Sequence, residues 1–197
     1  SYAALLTMYV IHLIILAIMG INPIRYVKKT LEVLIFAFTS RSSAGALPLN
    51  VQTQTQRLGV PEGIANFSAS FGLSIGQNGC AGIYPAMLAI MVAPVAHVDI
   101  DIPFILTLIG VVVISSFGVA GVGGGATFAS ILVLSTLNLP VALAGVLISI
   151  EPIIDMGRTA LNVNDSMLAG TGTARLTGNL DKEKFNSNHY GELSTES

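Results

Sequence analysis

The chain has 197 residues, 52% hydrophobic and 10% charged, with a formal net charge of −2 and a mean hydropathy of +0.75. A soluble domain carries about 25% charged residues, so the composition excludes an ordinary water-soluble domain and indicates an all-α integral membrane protein with the lipid bilayer as a partner. No basic cluster suggests nucleic acid, and the single cysteine, Cys80, excludes an internal disulfide framework and a cysteine-built zinc site.

A bilayer core of about 30 Å needs roughly 20 apolar residues per helix. Residues 2–21 satisfy that as a first span, with His12 inside it; that side chain reads first as a hydrogen-bonded buried imidazole and second as a proton carrier. The chain opens Ser-Tyr-Ala, apolar from the start and without an initiator Met, which predicts a fragment of a longer protein. Residues 30–57 run apolar, then TSRSSAGALPLN, then polar, with halves too short to span alone. They are expected to form an inner re-entrant hairpin. Residues 63–96 form a second span broken by SIGQNGCAG, and residues 103–140, interrupted by SSFGVAGVGGGAT, form an outer re-entrant hairpin. Residues 141–172 make the last span, and the polar tail 176–197 is expected to be disordered. Non-helical backbone at membrane depth is tolerated only when packed in protein or lining a wet cavity. Two interrupted segments in corresponding places point to a transporter binding site.

Charge supports this topology independently. Arg25, Lys28 and Lys29 follow the first span, Arg57 the first hairpin, and Arg175, Lys182 and Lys184 the last span, while residues 58–157 contain no Lys or Arg. Positive-inside counting puts the basic ends and the C-terminus in the cytoplasm and the 97–101 loop outside. The hairpins then approach each other from opposite sides.

The polar stretch EPIIDMGRTALNVNDS of the last span places Asp155, Arg158 and Asn162 three and four residues apart, so a helix stacks them on one face, with Glu151 and Ser166 extending the stripe. A charge at mid-bilayer costs at least about 2.5–3.5 kcal/mol on insertion scales, which favours a functional role over mutual neutralisation of Asp155 and Arg158. An amino acid brings both charges: Asp155 suits its ammonium, and the planar fork of Arg158 suits a carboxylate. In SIGQNGCAG, unwinding at Gly76, Gly79 and Gly82 would free carbonyls for a small cation, beside the neutral side chains of Ser74, Gln77 and Asn78. A simple kink fits that composition equally. The glycines of GVAGVGGGA allow backbone to approach a ligand, or helices to pack closely. Their degenerate GxGxxA pattern lies in no βαβ unit and lacks a Walker Lys, so nucleotide binding is not expected. No nucleophile–base pair or metal-ligand spacing appears, so the chain is not read as an enzyme, and no cofactor is expected beyond a coupling cation.

The ordered set TSRSSAGALP, GQNGC, GVAGVGGGA and DMGRTALNV resembles the C-terminal transport core of the dicarboxylate/amino acid:cation symporters, the glutamate-transporter family, over residues 1 to about 175. Within that family it is most similar to the bacterial members that take up L-cystine, through FGLSIGQNGCAGIYPAMLAIMVAP and GVAGVGGGATFA. The resemblance implies a homotrimer in the bacterial inner membrane, in which each protomer moves a transport domain like an elevator and two hairpins enclose a small amino-acid substrate. It implies substrate contacts at Arg41, Ser42 and Ser43 in the inner tip, Val122 and Ala126 in the outer tip, and Asp155, Arg158, Thr159 and Asn162 in the last helix. Cys80 stands where dicarboxylate carriers have a threonine.

The ion-coupling positions it implies are Gly72, Ser74, Asn78, Glu151 and Ser166. Where sodium-coupled members have NMDGT, this chain has Gly76-Gln77-Asn78-Gly79-Cys80, and Ser166 stands where a late aspartate is expected. Neutral oxygens trap a bare cation poorly, so coupling to H+ through Glu151 is expected rather than full Na+ coupling. The alternatives are a sodium-coupled glutamate or aspartate carrier and a truncated membrane remnant that does not transport. The helices that build the trimer scaffold in the family are missing here, so this stretch alone is not expected to transport.

Overall fold

The computed structural model describes residues 1–119, 124–142, 145 and 150–188. Every regular element among them is helical. Helix α1, Tyr2–Ile18, ends before Gly20, whose φ of 72° turns the chain. Helix α2, Pro23–Ser40, starts where Asn22 Oδ1 accepts from Arg25 N at 3.1 Å, with proline in the first turn. It stops at Arg41, which takes a left-handed φ of 53°. After the 41–46 turn, helix α3, Leu47–Gln52, runs into a π-helical turn, Thr53–Arg57.

The long apolar stretch that follows is broken as its glycines suggest. Helix α4, Glu62–Ser74, gives way to irregular backbone at 75–77, then to a π-helical turn, Asn78–Ile83, and to helix α5, Tyr84–Val95. By length and composition, Glu62–Val95 is the one stretch among the described residues fit to cross a membrane; the apolar helices Tyr2–Ile18, Ile102–Ser116 and Gly125–Thr136 are shorter. Helix α6, Ile102–Ser116, begins where Asp101 Oδ1 accepts from Phe104 N at 2.8 Å, and helix α7 spans Gly125–Thr136. Residues 120–123, 143–144 and 146–149 lie outside the described set, so the outer tip and the start of the expected last span are not described. Helix α8 runs Glu151–Leu176 with Pro152 in its first turn.

The tail corrects a sequence expectation. Residues 182–186 of the expected disordered tail form a short helix α9, Lys182–Asn186, while residues 189–197 lie outside the described residues. Asp181 N donates to Gly59 O at 2.9 Å, and Asp181 Oδ1 caps α9 by accepting from Lys184 N. Leu180 and Phe185 bury themselves in the core, two apolar anchors that an otherwise polar composition concealed.

Among the described residues two large apolar clusters result, with a small third of Ala81, Val119 and Ala129. One joins α1, α2, α4, α8 and the tail through Leu16, Tyr26, Val33, Ala65, Met167 and Phe185. The other joins α5, α6 and α7 through Tyr84, Leu88, Leu108, Ala126, Val133 and Leu134, with Cys80 at its edge. Helix α8 packs on α1, α2, α4 and the π-helical turn at 78–83, so its polar face lies between the two clusters.

Candidate functional site

Glu151, Asp155, Arg158 and Asn162 share one face of α8, as spacings of four, three and four require. Arg158 is 1% exposed. Its Nη2 donates to Glu151 Oε1 and to Asp155 Oδ1, each at 3.1 Å, and its guanidinium lies 4.2 Å from the centre of the Tyr84 ring. Removing a guanidinium from water is tolerable only with such partners. Nevertheless Nε and Nη1 are buried without a hydrogen-bond partner among the described residues. Thr127 Oγ1 of α7 donates to Glu151 Oε2 at 2.6 Å, tying the outer segment to this centre.

One turn further along, Asn162 binds the broken segment. Its Oδ1 accepts from Gly79 N at 2.7 Å, and its Nδ2 donates to Gln77 Oε1 at 2.9 Å and to Cys80 Sγ at 3.1 Å. Ser43, from the turn after α2, donates to the same Gln77 Oε1 at 3.3 Å. Gln77 Nε2 donates to Gly72 O at 2.9 Å, and Gly76 N reaches the same carbonyl at 3.0 Å. Asn50 Nδ2 donates to Ser166 Oγ at 2.7 Å. Two of the oxygens expected to hold a coupling cation, those of Gly72 and Ser166, therefore face N–H donors.

Of the residues singled out from sequence, the structure brings Glu151, Asp155 and Arg158 into one polar network and Ser43, Cys80 and Asn162, through Gln77, into a second beside it on the same face of α8. Thr159 is buried beside it on α8, and Ala126 packs in the apolar cluster that includes Cys80 and Tyr84. Gly72 meets Ser166 so closely that a Cβ there would lie 2.6 Å from Ser166 Cβ. Ser42 is spent on its own turn, its Oγ accepting from Gly45 N at 2.9 Å. Arg41 and Ser74 are exposed, and Ser74 returns its hydroxyl to Ser70 O. Asn78 is half-buried, its Oδ1 against Gly82. Val122 lies outside the described residues.

His12 is a hydrogen-bonded buried imidazole, held by Asp165 and Asn164. The site reading from sequence omitted Asn50, Gln77, Tyr84 and Thr127. Gln77 stood in the quoted break and was legible as a neutral ligand, whereas the other three join the site only through contacts between distant segments.

The polar face of α8 thus sets a buried guanidinium between two carboxylates, beside a glycine-broken helix. Residues 1–176 match the sodium:dicarboxylate symporter family, and the chain belongs to it; that family consists of transport proteins rather than enzymes. Among curated relatives, the chain is 72% identical over 186 residues to the L-cystine uptake protein TcyP of Shouchella clausii. It is 67% identical over 186 residues to the protein of that name from Bacillus licheniformis and 64% over 187 to that from Bacillus thuringiensis. These alignments cover 94% of this chain, which spans 40% of the length of each relative.

Proposed function

We propose that this chain is the substrate-binding core of a secondary active transporter that imports L-cystine across the bacterial cell membrane. It works inside a longer, trimeric protein, by elevator-like movement of the core across the membrane, with two re-entrant hairpins of the core enclosing the substrate. The carrying observation is the Arg158 guanidinium, buried, anchored through Nη2 and left with two unpartnered nitrogens. Such a group is a receptor for a carboxylate. Asp155, one turn away, offers the opposite charge for an ammonium. L-Cystine carries two amino-acid heads, so one head gives its ammonium to Asp155 while the other gives a carboxylate to Arg158. The Tyr84 ring and Cys80 supply a softer wall for its sulfurs. The relatives' shared name supports this substrate class.

Coupling is to protons, with Glu151 as carrier. In the guest-free arrangement Glu151 helps neutralise Arg158; a proton on Glu151 removes that charge and leaves the guanidinium to the incoming carboxylate. Thr127 binds Glu151 in either state, since a hydroxyl donates and accepts, which links the carboxyl to the outer segment. The amide donors facing Gly72 O and Ser166 Oγ support H+ over Na+. Uptake of labelled cystine by the complete protein in liposomes is expected to follow an inward pH gradient and ignore sodium. A strict sodium requirement with no response to pH refutes the coupling.

For the substrate site, Arg158→Ala is expected to reduce cystine uptake at least about a hundredfold, the scale of losing a charged anchor; unchanged uptake overturns the assignment. The family's description favours a second reading, sodium-coupled dicarboxylate symport. Competition between cystine and aspartate separates the two.

A further inference from the structure

Away from the substrate centre, α1, α2 and α8 enclose a second ionisable cluster. His12 is 3% and Asp165 15% exposed, with His12 Nε2 3.0 Å from Asp165 Oδ1. On the other side of the ring, Asn164 Nδ2 lies 3.0 Å from His12 Nδ1. Tyr26 Oη lies 3.2 Å from Asn164 Oδ1 and 3.5 Å from the Asn164 carbonyl oxygen. Asp165 Oδ2 is buried without a partner. The titratable groups around the cluster are Tyr9 of α1, Tyr26 of α2 and Asp165 of α8. Among the described residues no lysine or arginine pairs with Asp165.

We propose that His12, Asp165, Asn164 and Tyr26 form a binding site for one proton, taken up at His12 Nδ1. As placed, Tyr26 donates to Asn164 Oδ1, Asn164 donates to bare Nδ1, and Nε2–H donates to Asp165, so the imidazole is neutral and the cluster carries one negative charge. Turning the Asn164 amide by half a revolution exchanges its oxygen and nitrogen. Nδ1–H then donates to Asn164 Oδ1, Nδ2 donates to Tyr26 Oη, and the Tyr26 hydroxyl turns to the Asn164 carbonyl. Both ring nitrogens of His12, the Asn164 amide and the Tyr26 hydroxyl keep a hydrogen-bond partner in both states. The protonated state is a neutral ion pair, which apolar surroundings favour over a lone carboxylate. Its helix, α8, also carries Asp155, Arg158 and Asn162, so the proton is held on the same rigid element as the substrate centre.

This goes beyond the cystine reading and needs no transport to test. Histidine-selective NMR of the full-length protein in lipid, with His12 assigned through His12→Gln, follows both ring nitrogens between about pH 5 and 9. The expected result is one step in which Nδ1 gains a proton. Asp165→Asn, which removes the carboxylate that faces Nε2, is expected to weaken proton uptake at Nδ1 about tenfold. A ring that keeps its bare nitrogen throughout, a proton arriving at Nε2 instead, or a step unmoved in a folded Asp165→Asn variant overturns the proposal. Should that variant fail to fold, the native titration decides alone.

Discussion

Two glycines fix how closely the broken segment approaches α8. A Cβ on Gly79 would lie 2.9 Å from the Arg158 carbonyl oxygen and 3.0 Å from its Cα, backbone that cannot yield. Gly79→Ala is therefore expected to lower stability by about 1–3 kcal/mol, read as an earlier thermal unfolding of the complete protein in detergent. Gly72 meets the Ser166 side chain instead, so Gly72→Ala should be largely rescued by adding Ser166→Gly; a double variant whose loss is the sum of the singles would show that this contact is not the cause. The proposed proton coupling is tested at Gln77. Gln77→Glu replaces the N–H that faces Gly72 O with a carboxylate oxygen, and the variant is expected to gain a thermal shift with added sodium that the native protein lacks. No shift in either protein would remove Gln77 as the reason sodium is excluded.

Among the elements, α8 carries the fold and the chemistry together, and the tail closes over one end of its neighbours. Lys29 Nζ, fully buried, donates to Arg57 O at 2.8 Å and Lys184 O at 2.7 Å, and Arg25 Nη1 donates to Asn186 Oδ1 at 2.7 Å. Phe185→Ala should release α9 and leave the rest folded. Amide exchange across 177–187 would then rise by orders of magnitude while α4 and α8 stay protected; unchanged exchange would mean the backbone bonds hold α9 without the ring. Periodicity and glycine content made the break at 75–83 and the polar face of α8 legible, because both are local properties of the chain. The pairing of Asn50 with Ser166, 116 residues apart, and of His12 with Asn164, 152 apart, left no local trace. The tail was misjudged for a related reason: two buried side chains in a polar stretch give no periodic signal, yet they decide whether it packs.

At the scale of the molecule, large apolar side chains face outward on α1 and α6, among them Leu6, Val10, Ile14, Ile18, Leu106, Ile109 and Ile114. Such faces suit a membrane protein, as membership of a symporter family implies. Fluorescence-detected size exclusion is expected to give a monodisperse peak in detergent and none in plain buffer; a soluble monomer in buffer would contradict the reading. The order of apolar and broken segments was visible in composition, whereas the placing of the two large clusters on either side of the polar face of α8 required the folded chain. The docked tail carries a practical corollary for anyone cutting this protein. The family match ends at residue 176, but Leu58 and Val60 share an apolar cluster with Leu180 and Phe185. A truncation drawn at the homology border would uncover that greasy seam, so a crystallographer's scissors belong after residue 188.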